Sequence, residues 1–548
     1  MHFRFSYILS KLPMFDAYPN SSLSKMNKNK NSNTTHIFKS IQNIVLILVS
    51  LCSVSVSSST LRRPPPLPIL PLPSSPQLQW QLTSMALFFH FGPNTFTDSE
   101  WGSGKADPYV FNPTQLNASQ WVHVAKEAGF NRVILTAKHH DGFCLWPSDY
   151  TEYSVRSSGW RNGSGDVVAE LAMAAREAGI GLGLYLSPWD RHESCYGKTL
   201  EYNEYYMGQM SELLTSYGDI KEVWLDGAKG EGEKEMEYFF DSWFSLIHQL
   251  QPGAVIFSDA GPDTRWIGDE AGVAGSTCWS LFNRSSAKIG GTDPGYSQRG
   301  DPQGHDWVPA ECDVSIRPGW FWHASEAPKS ALQLLDIYYK SVGRNCLLLL
   351  NVPPNSSGLI SAEDIQVLQE FSELRRSIFS HNLAENALVT ASYTRGDVRD
   401  NRFDPHNVLE EGIYTYWGPE ENQSDWALFL YLEESVSFNV LQVQEPIHMG
   451  QRIVAFHLDI LNEEGEWKKV INGTTVGYQR LLQFPTVKSK QLRFVVDKSR
   501  ADPLISYLGI FIDRFSILSM SNTSSHTNVN GSHILHQSLY NHSQIASI

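Results

Sequence analysis

The segment "DVVAELAMAAREAGIGLGLYLSPWD", residues 166–190, joins two patterns that recur along much of the chain. Its first part repeats apolar residues at helical spacing and ends in glycine, where helices commonly stop. Its second part, "IGLGLYLSPWD", is almost entirely apolar until its polar ending. A strand that is apolar on both faces is typical of a parallel sheet covered by helices. The segment therefore predicts one helix–strand unit of an α/β fold.

The same unit recurs before and after this segment. Strand-like runs include "MALFFHFG", "NRVILTAKHH", "KEVWLDG", "GAVIFSD" and "CLLLLNVPPN", with amphipathic helical patterns between them. Two of the helices end in the similar sequences "AKEAGF" and "AREAGI", which is a weak internal repeat. No glycine-rich phosphate loop follows the first strand, which argues against an open doubly wound sheet. We therefore predict a (β/α)8-type barrel over residues 78–379.

The pattern changes near residue 383. Segments such as "DWALFLYLEE", "IVAFHLDIL" and "KQLRFVVD" are short alternating strands without a convincing helix. They predict an all-β sandwich over residues 383–519. A proline-rich leader, residues 61–77, precedes the barrel, and the polar residues 520–548 are expected to be a disordered tail with several glycosylation sequons.

The beginning of the chain carries a targeting signal. The run "IVLILVSLCSVSV", residues 44–56, is too short to cross a bilayer and fits a signal-peptide core. Residues 1–60 are therefore interpreted as an N-terminal extension followed by a signal peptide, and Met26 is a better translation start for that signal peptide than Met1. A membrane anchor is the alternative interpretation. The protein is expected to be secreted and extracellular, in the apoplast or cell wall if it comes from a plant.

Glycosylation sequons support secretion. N-x-S/T motifs begin at Asn117, Asn162, Asn283, Asn355, Asn422 and Asn472, and at Asn522, Asn530 and Asn541 in the tail. Five cysteines lie beyond the signal segment, so at least one thiol is expected to be free or paired outside the chain. C-x-x-C spacing does not occur, which argues against a zinc ribbon or a thioredoxin-type motif.

Composition narrows the class of ligand. The 548-residue chain has a formal net charge of −15 and no Lys/Arg-rich run, which argues against nucleic acid, whose phosphates need basic patches. The 16 tryptophans and 22 tyrosines suit stacking on sugar rings, although large cores also use these residues. Composition alone therefore favours a carbohydrate only slightly.

Polar residues close four successive strands of the predicted barrel. The strand endings supply His90, then His139 with His140 and Asp141, then Tyr185 with Trp189 and Asp190, and finally Trp224 with Asp226. Because the active site of such a barrel lies at the C-terminal ends of its strands, these residues predict one pocket. Neighbouring residues on a strand point to opposite faces, and neither H-x-H nor H-E-x-x-H spacing occurs, so no metal is expected.

Acid–base cleavage of a glycoside is the alternative to a metal site, and it requires two facing carboxyl groups. Asp226 is the stronger candidate, because a carboxylate at the end of a buried strand is costly unless it is used or paired. Capping of the next loop would also explain it. For the second carboxyl group, the residue pattern leaves Asp269, Glu270, Glu231 and Glu233 open.

These motifs together resemble the family 29 glycoside hydrolases, the retaining α-L-fucosidases. The sequences "FFHFG", "SEW", "TAKHHDGFCLW", "YLSPWD", "VWLDG" and "LLLNVPPN" occur in the order typical of that family, between Trp80 and Phe379. The sandwich resembles the discoidin-like module of many members, and the signal and sequons resemble the secreted plant enzymes. The long lead before the signal and the polar tail depart from the usual pattern.

The resemblance implies roles for particular residues. It makes Asp226 the nucleophile, and "WIGDEAG" is similar to the context of the acid/base glutamate in the subgroup that cleaves α-1,3- and α-1,4-linked fucose, which implies Glu270. The positions expected to contact the sugar are His90, Glu100, Trp101, His139, His140, Tyr185, Trp224 and Trp320.

The activity implied by the resemblance is that of an exo-glycosidase releasing α-L-fucose with retention from Lewis-type glycans, without a cofactor. Its partners are expected to be fucosylated glycans or oligosaccharides, with no nucleic acid and no stable membrane insertion after signal cleavage. Two alternatives stay open at this point: a catalytically inactive fucose-binding barrel, and another barrel glycosidase that uses two carboxylates. The sandwich is expected to support the barrel rather than to bind glycan.

Overall fold

The computed structural model describes residues 63–230, 232–396 and 400–515. The predicted extension and signal peptide, the first two residues of the proline-rich leader and the predicted polar tail lie outside these ranges. From Pro64 onward, the leader contacts the predicted β-sandwich region. The Pro64 carbonyl accepts a hydrogen bond from Arg395, and the Ile69 amide donates to the Met449 carbonyl at 3.1 Å. Every helix within the described ranges is too short or too polar to cross a bilayer.

Eight parallel strands close into a barrel, and they neighbour one another in chain order. They are β1 (Met85–Phe89), β2 (Arg132–Lys138), β3 (Gly181–Leu186), β4 (Ile220–Trp224), β5 (Val255–Ser258), β6 (Thr264–Trp266), β7 (Ala310–Ser315) and β8 (Cys346–Asn351). The predicted barrel is confirmed. A separate two-stranded ladder, Leu281–Phe282 with Asp306–Trp307, lies in the long connection between β6 and β7.

The helices are α1 (Ser75–Thr83), α2 (Pro93–Thr97), α3 (Ala118–Glu127), α4 (Val167–Ala178), α5 (Thr199–Ser216), α6 (Phe240–Leu250), α7 (Pro294–Arg299), α8 (Ala331–Lys340) and α9 (Ala362–Phe379). The regular alternation breaks between β5 and β6, where the described residues 259–263 form a short loop instead of a helix. The helix that follows β4 begins at Phe240.

Two layers of apolar side chains hold the barrel. The larger layer fills the space between strands and helices, and Trp121, Leu171 and Trp243 are fully buried in it. A smaller cluster fills the interior of the barrel, where Trp80 from α1 joins Phe88 and Trp224 from the strands. Because this inner cluster is a packed core, the pocket can form only above it, at the C-terminal ends of the strands.

The second domain is an antiparallel β-structure, which confirms its predicted all-β class. Its strands are β9 (Leu388–Ala391), β10 (Ala427–Gln444), β11 (Ile453–Leu461), β12 (Trp467–Thr474), β13 (Arg480–Ser499) and β14 (Tyr507–Phe511). β10 and β13 pair along most of their length, and two register shifts interrupt the ladder between them. The segment "DWALFLYLEE", predicted as a short strand, is therefore the first part of one long bent strand.

Of the five cysteines beyond the predicted signal segment, Cys312 and Cys346 form a disulfide between β7 and β8. Cys144, Cys195 and Cys278 are unpaired, and Cys144 and Cys278 are buried. The expectation of at least one unpaired thiol agrees with this arrangement in the described ranges. Burial raises the pKa of the Cys144 and Cys278 thiols, which keeps them protonated and unreactive.

Candidate active site

A cavity of about 340 Å³ opens at the C-terminal ends of the barrel strands. Most of the predicted sugar-contacting and catalytic residues line it: His90, Glu100, Trp101, His139, His140, Trp224, Asp226, Glu270 and Trp320. Tyr185 is the exception, since it lies fully buried below the cavity wall and reaches the site through a hydrogen bond. Residues from six different parts of the sequence thus meet in one pocket.

Asp226 lies two residues beyond the end of β4, and both of its carboxylate oxygens are held. The Tyr185 hydroxyl donates to Oδ2 at 3.0 Å, and the Ala228 amide donates to Oδ1 at 2.7 Å. The His140 Nε2 atom lies 3.6 Å from Oδ2. The side chain keeps 21% of its surface exposed. The carboxylate is therefore oriented by fixed donors while one side of it remains open to the pocket.

The residue after the nucleophile candidate has little space. A Cβ at Gly227 would lie 3.0 Å from Asp259 Oδ1 and 3.1 Å from the Gly290 amide nitrogen. Asp259 Oδ2 in turn accepts a hydrogen bond from the Gly290 amide at 2.7 Å. The loop carrying Gly290 therefore packs directly on the backbone beside Asp226, and glycine at position 227 permits that approach.

Glu270 is the second carboxyl group of the pocket among the four candidates. Trp320 Nε1 donates to its Oε2 at 3.3 Å. The residue is exposed at the mouth of the cavity, but desolvation by the surrounding pocket is the main cause that raises the pKa of Glu270. The negative charges of Asp226 and Glu100 raise it further, against the Trp320 hydrogen bond. A glutamate with a raised pKa is suited to hold a proton for a leaving group.

The remaining candidates for the second carboxyl group lie elsewhere. Asp269 accepts hydrogen bonds from the Ala271 amide at 2.9 Å and from Gln298 at 2.8 Å, which is a structural use. Glu233 lies 3.3 Å from Arg191 and does not line the cavity. Glu231 is outside the described residues. The structure therefore separates Glu270 from its neighbours, which the residue pattern did not.

His90 is held as a neutral hydrogen-bonding group. Its Nδ1 lies 2.9 Å from Asn351 Oδ1, and the amide of Asn351 is oriented because its Nδ2 donates to Ser315 Oγ and to the Trp320 carbonyl. Nδ1 therefore donates, and Nε2 is left as an acceptor. Burial lowers the pKa of His90 to about 3, so the ring stays uncharged at neutral and mildly acidic pH.

His140 follows the same logic. Its Nδ1 lies 2.7 Å from Ser187 Oγ, and that hydroxyl donates to the Trp189 carbonyl at 2.6 Å, so Nδ1 must donate to Ser187. Burial lowers the pKa of His140, although the charge of Asp226 partly opposes this. Nε2, which faces Asp226, is then an acceptor. A sugar hydroxyl bound there can donate to His140 or to the carboxylate.

The adjacent histidines correct one expectation. They were expected to point to opposite faces, but β2 ends at Lys138 and its pairing with β3 shifts register between Thr136 and Lys138. Both rings therefore leave the strand and line the cavity, with centroids 4.2 Å apart. His139 Nδ1 is buried without a partner, and burial holds the pKa of His139 well below its usual value.

Three other strand-end residues are structural. Asp190 forms a fully buried ion pair with Lys138 at 2.9 Å, which ties the end of β3 to that of β2. The Trp189 ring packs on His140 with centroids 4.7 Å apart. Asp141 is buried away from the pocket, and burial raises its pKa to about 7. Polar strand endings thus include groups that hold the barrel mouth together.

Glu100 and Trp101 form one rim of the cavity. Glu100 accepts hydrogen bonds from the Trp320 amide at 2.8 Å and from the Phe321 amide at 3.3 Å, and His323 Nε2 lies 2.6 Å from it. The Trp101 ring is 48% exposed and stands edge-on to Trp189 at 5.3 Å. The rim therefore offers an exposed aromatic face beside a fixed carboxylate, an arrangement suited to a pyranose.

Comparison with known proteins agrees with this geometry. The family model "Alpha-L-fucosidase" matches residues 79–374. The chain is 72% identical over 478 residues to Alpha-L-fucosidase 1 of Arabidopsis thaliana, covering 87% of this chain and 94% of that protein. The chain belongs to the alpha-L-fucosidase family. The resemblance inferred from the motifs is confirmed, as is the expectation of an enzyme of the glycoside hydrolase class.

Two further members of the alpha-L-fucosidase family extend the comparison. A putative alpha-L-fucosidase 1 of Oryza sativa subsp. japonica is 65% identical over 481 residues, with 88% of this chain and 93% of that protein covered. The Ruminococcus gnavus GH29 fucosidase in complex with fucose has a TM-score of 0.77 to this structure at 34% identity, covering 83% of this chain and 97% of that chain.

Some residues lining this alpha-L-fucosidase pocket were missed from the sequence. They are Phe88, Gly227, Ala228, Phe257, Asp259, Trp266, Gly290, Gly291, Thr292 and Asp313. Asp313 is the one that matters most chemically, because it is a buried carboxyl group whose pKa is raised by the charge of Glu270. The alternation of Glu311, Asp313 and Ser315 in "AECDVS" is a strand pattern that could have indicated it.

Asp313 is expected to be dispensable as a proton donor. Burial and the charge of Glu270 hold its pKa well above its usual value, against the hydrogen bond that Trp266 Nε1 donates to Oδ1 at 2.8 Å. Asp313→Asn mimics the protonated form, so we expect kcat/KM on fucosides to fall by less than about tenfold. The control is Asp313→Ala. A loss of more than about 100-fold in the Asn variant, together with rescue of the Ala variant by azide, would instead identify Asp313 as the acid/base.

The predicted glycosylation sites differ in exposure. Asn117, Asn162, Asn422 and Asn472 are exposed, whereas Asn283 and Asn355 are half-buried. Asn355 Oδ1 accepts hydrogen bonds from the Ser357 amide and hydroxyl at 2.9 and 2.6 Å. Occupancy of these six sequons stays a prediction. The three sequons of the predicted tail lie outside the described residues.

Proposed function

We propose that this chain is a retaining exo-glycosidase that releases α-L-fucose by double displacement, with α-1,3- and α-1,4-linked fucose of Lewis-type glycans as its substrate class. The observation that carries the proposal is the pair of carboxyl groups, Asp226 and Glu270, lining one pocket with different environments. Fixed hydrogen bonds and partial exposure suit Asp226 to react as a carboxylate. Desolvation in the pocket and the negative charges of Asp226 and Glu100 raise the pKa of Glu270, which suits it to carry a proton.

In the first step, Asp226 attacks the anomeric carbon and the bond to the leaving oxygen breaks. The proton of Glu270 passes to that oxygen, so the leaving sugar departs as a neutral alcohol and Glu270 becomes a carboxylate. A fucosyl ester of Asp226 remains. Fucose hydroxyls donate hydrogen bonds to the Nε2 atoms of His90 and His140 and to the carboxylate of Glu100. These contacts fix the anomeric carbon beside Asp226.

In the second step, the Glu270 carboxylate takes a proton from water as that water attacks the anomeric carbon. The ester bond to Asp226 breaks, and fucose leaves with the anomeric configuration of the substrate because two inversions have occurred. Glu270 is protonated again and Asp226 is a carboxylate again. The catalytic cycle is therefore complete, and the only protein groups it uses are those of this chain.

The linkage preference is supported by the sequence context of Glu270. The residues "WIGDEAG", 266–272, are similar to the context of the acid/base glutamate in fucosidases that act on α-1,3 and α-1,4 linkages. The pocket is a single cavity closed below by the barrel core, which suits removal of a terminal sugar. We place the enzyme outside the cell, on fucosylated glycoproteins or oligosaccharides, because of the predicted signal segment and sequons.

A glycan panel tests the linkage. Equal concentrations of oligosaccharides carrying α-1,2-, α-1,3-, α-1,4- or core-linked fucose are incubated with the enzyme, and released fucose is measured. We expect kcat/KM on the α-1,3 and α-1,4 substrates to exceed the others by about 100-fold or more. The Asp226→Asn variant is the blank. Equal rates on all linkages would refute the preference, and galactose release without fucose release would refute the activity.

A further inference from the structure

Two glutamates meet inside the barrel below the active site. Glu222 on β4 and Glu311 on β7 are both 0% exposed, and their carboxyl groups lie close enough for Glu222 to raise the pKa of Glu311. The mechanism uses neither residue. The positive charge beside them is Arg132 on β2, whose Nη1 lies 2.9 Å from Glu222 Oε2. One guanidinium therefore faces two carboxyl groups in a region from which water is excluded.

The hydrogen-bond inventory shows where a proton is missing. Glu222 Oε2 accepts from Arg132 and from Trp80 Nε1, each at 2.9 Å, and Glu311 Oε1 accepts from Trp224 Nε1 at 2.7 Å. The other oxygens, Glu222 Oε1 and Glu311 Oε2, are buried and have no donor. Two carboxylates cannot bond to each other, whereas a single proton between them satisfies both oxygens.

The proton belongs on Glu311. Glu222 has the compensating charge of Arg132, whereas Glu311 has only the neutral indole of Trp224. A second buried carboxylate without a counter-ion would be strongly disfavoured. Burial and the charge of Glu222 accordingly hold the pKa of Glu311 well above its usual range. The cluster is then electrically neutral: one guanidinium, one carboxylate and one carboxylic acid.

This acid connects to the reacting groups through aromatic rings. The Trp224 ring, held by Glu311, stacks on Phe257 with centroids 4.1 Å apart at 7°, and on Tyr185 with centroids 5.3 Å apart at 27°. Trp224 and Phe257 line the pocket, and the Tyr185 hydroxyl donates to Asp226. A rotation of the Trp224 indole would therefore disturb both the pocket wall and the support of the nucleophile.

We propose that Glu311 is a positioning residue that acts as a neutral carboxylic acid, sharing its proton with Glu222 and thereby fixing the Trp224 indole in the pocket wall. Its effect on turnover rests on the proposed function of the pocket. The protonation state of Glu311 does not depend on that function, so the protonation state and the effect on turnover can be tested separately.

Glu311→Gln tests the proton without emptying the site. The amide can donate to Glu222 Oε1 through its nitrogen and accept from Trp224 through its oxygen, as the acid does. We expect kcat/KM within about threefold of wild type. Glu311→Leu cannot make either bond, and we expect a loss of about 10- to 100-fold that falls mainly on kcat, since the ring it releases supports Asp226.

The decisive measurement is the melting temperature against pH, which is independent of substrate. At pH values above the usual glutamate range, an unfolded Glu311 is ionised but the folded one is protonated, so folding takes up a proton and stability falls as pH rises toward the folded pKa. The glutamine side chain of the variant has no such penalty. We therefore expect the melting temperature of Glu311→Gln to exceed that of wild type by a margin that grows from about pH 5 to about pH 9.

The groups that could confuse this titration are few. The titratable groups near Glu311 are Glu222 on β4, which is paired with Arg132, and Asp313 on the same strand as Glu311. On the two neighbouring strands, the residues that pair with Glu311 are Trp266 and Leu347, which do not titrate. Glu222→Gln is the matched control, because it removes the partner of Arg132 and should lower stability at every pH. A pH-independent difference for Glu311→Gln, or equal effects of the two substitutions, would overturn the assignment. Such a result would leave the proposed activity standing.

Discussion

Replacing Asp226 by glycine is expected to reduce kcat/KM on α-fucosides by at least about 10⁴-fold, a loss of about 5.4 kcal/mol of transition-state stabilisation. The expectation follows from the position of the carboxylate. It is partly exposed to the cavity, its two oxygens are held by the Tyr185 hydroxyl and the Ala228 amide, and His140 lies 3.6 Å away. Glycine leaves these partners in place but removes the group that all of them position to attack.

The product formed with azide distinguishes a nucleophile from a structural carboxylate. In the glycine variant, azide can enter the space left by Asp226 and attack a fucosyl fluoride from the face that Asp226 occupied. A single displacement gives β-fucosyl azide, which is inverted and detectable by NMR. Asp226→Asn is the control, because the amide fills that space and should be inactive without rescue. An active glycine variant in the absence of azide would remove Asp226 from the mechanism.

Much of this site could be predicted because strand endings are easy to recognise. In a parallel barrel, the last residue of each apolar strand reaches the same mouth, so His90, His139 and Asp226 could be grouped without any knowledge of the packing. The same rule also collected Asp190, whose ion pair with Lys138 is structural. A polar residue at a strand end either takes part in the chemistry or stabilises the end of the barrel, and the sequence pattern alone does not distinguish these roles.

Other features depend on geometry that the pattern does not contain. The register shift beside Lys138 turns both histidines toward the pocket, although strict alternation would separate them. The absence of a helix between β5 and β6, in the described residues 259–263, was not foreseen, because "GAVIFSD" has the same apolar pattern as the strands that precede helices. Asp313 and Glu311 lie within a strand rather than at its end, so a search for polar strand endings does not find them.

The second domain shows the same limit. Its all-β class followed from alternation and turn residues, but the lengths of its two longest strands, β10 and β13, did not, because a bent strand interrupts the alternation where it changes direction. What the domain contributes is visible only in contacts: the Tyr339 hydroxyl of α8 donates to Asp513 at 3.1 Å, and the hydroxyls of Thr277 and Thr474 lie 2.7 Å apart. These contacts agree with the expected supporting role, which stays a prediction.

Replacing Glu270 by glycine is expected to lower kcat/KM by about 10²- to 10⁴-fold on natural linkages and by much less on fucosyl fluoride. The difference arises because an oligosaccharide leaving group needs a proton from Glu270, whereas fluoride needs little. The alkaline limb of the wild-type kcat/KM profile should also disappear. A general acid works only while protonated, so its rate falls as pH rises through its pKa, which burial raises above that of an ordinary glutamate.

Azide should again report the role, with the opposite stereochemistry. In the Glu270→Gly variant, Asp226 still forms the fucosyl ester, and azide attacks that ester from the face Glu270 has vacated. Two displacements give α-fucosyl azide, so the pair of variants must yield opposite anomers if the two carboxyl groups lie on opposite sides of the sugar. Asp269→Asn is the matched control. Asp269 is next to Glu270 in the sequence, but its carboxyl group accepts hydrogen bonds from Ala271 and Gln298 outside the cavity. The same anomer from both glycine variants would contradict the assignment, because one face of the sugar cannot serve as the site of both groups.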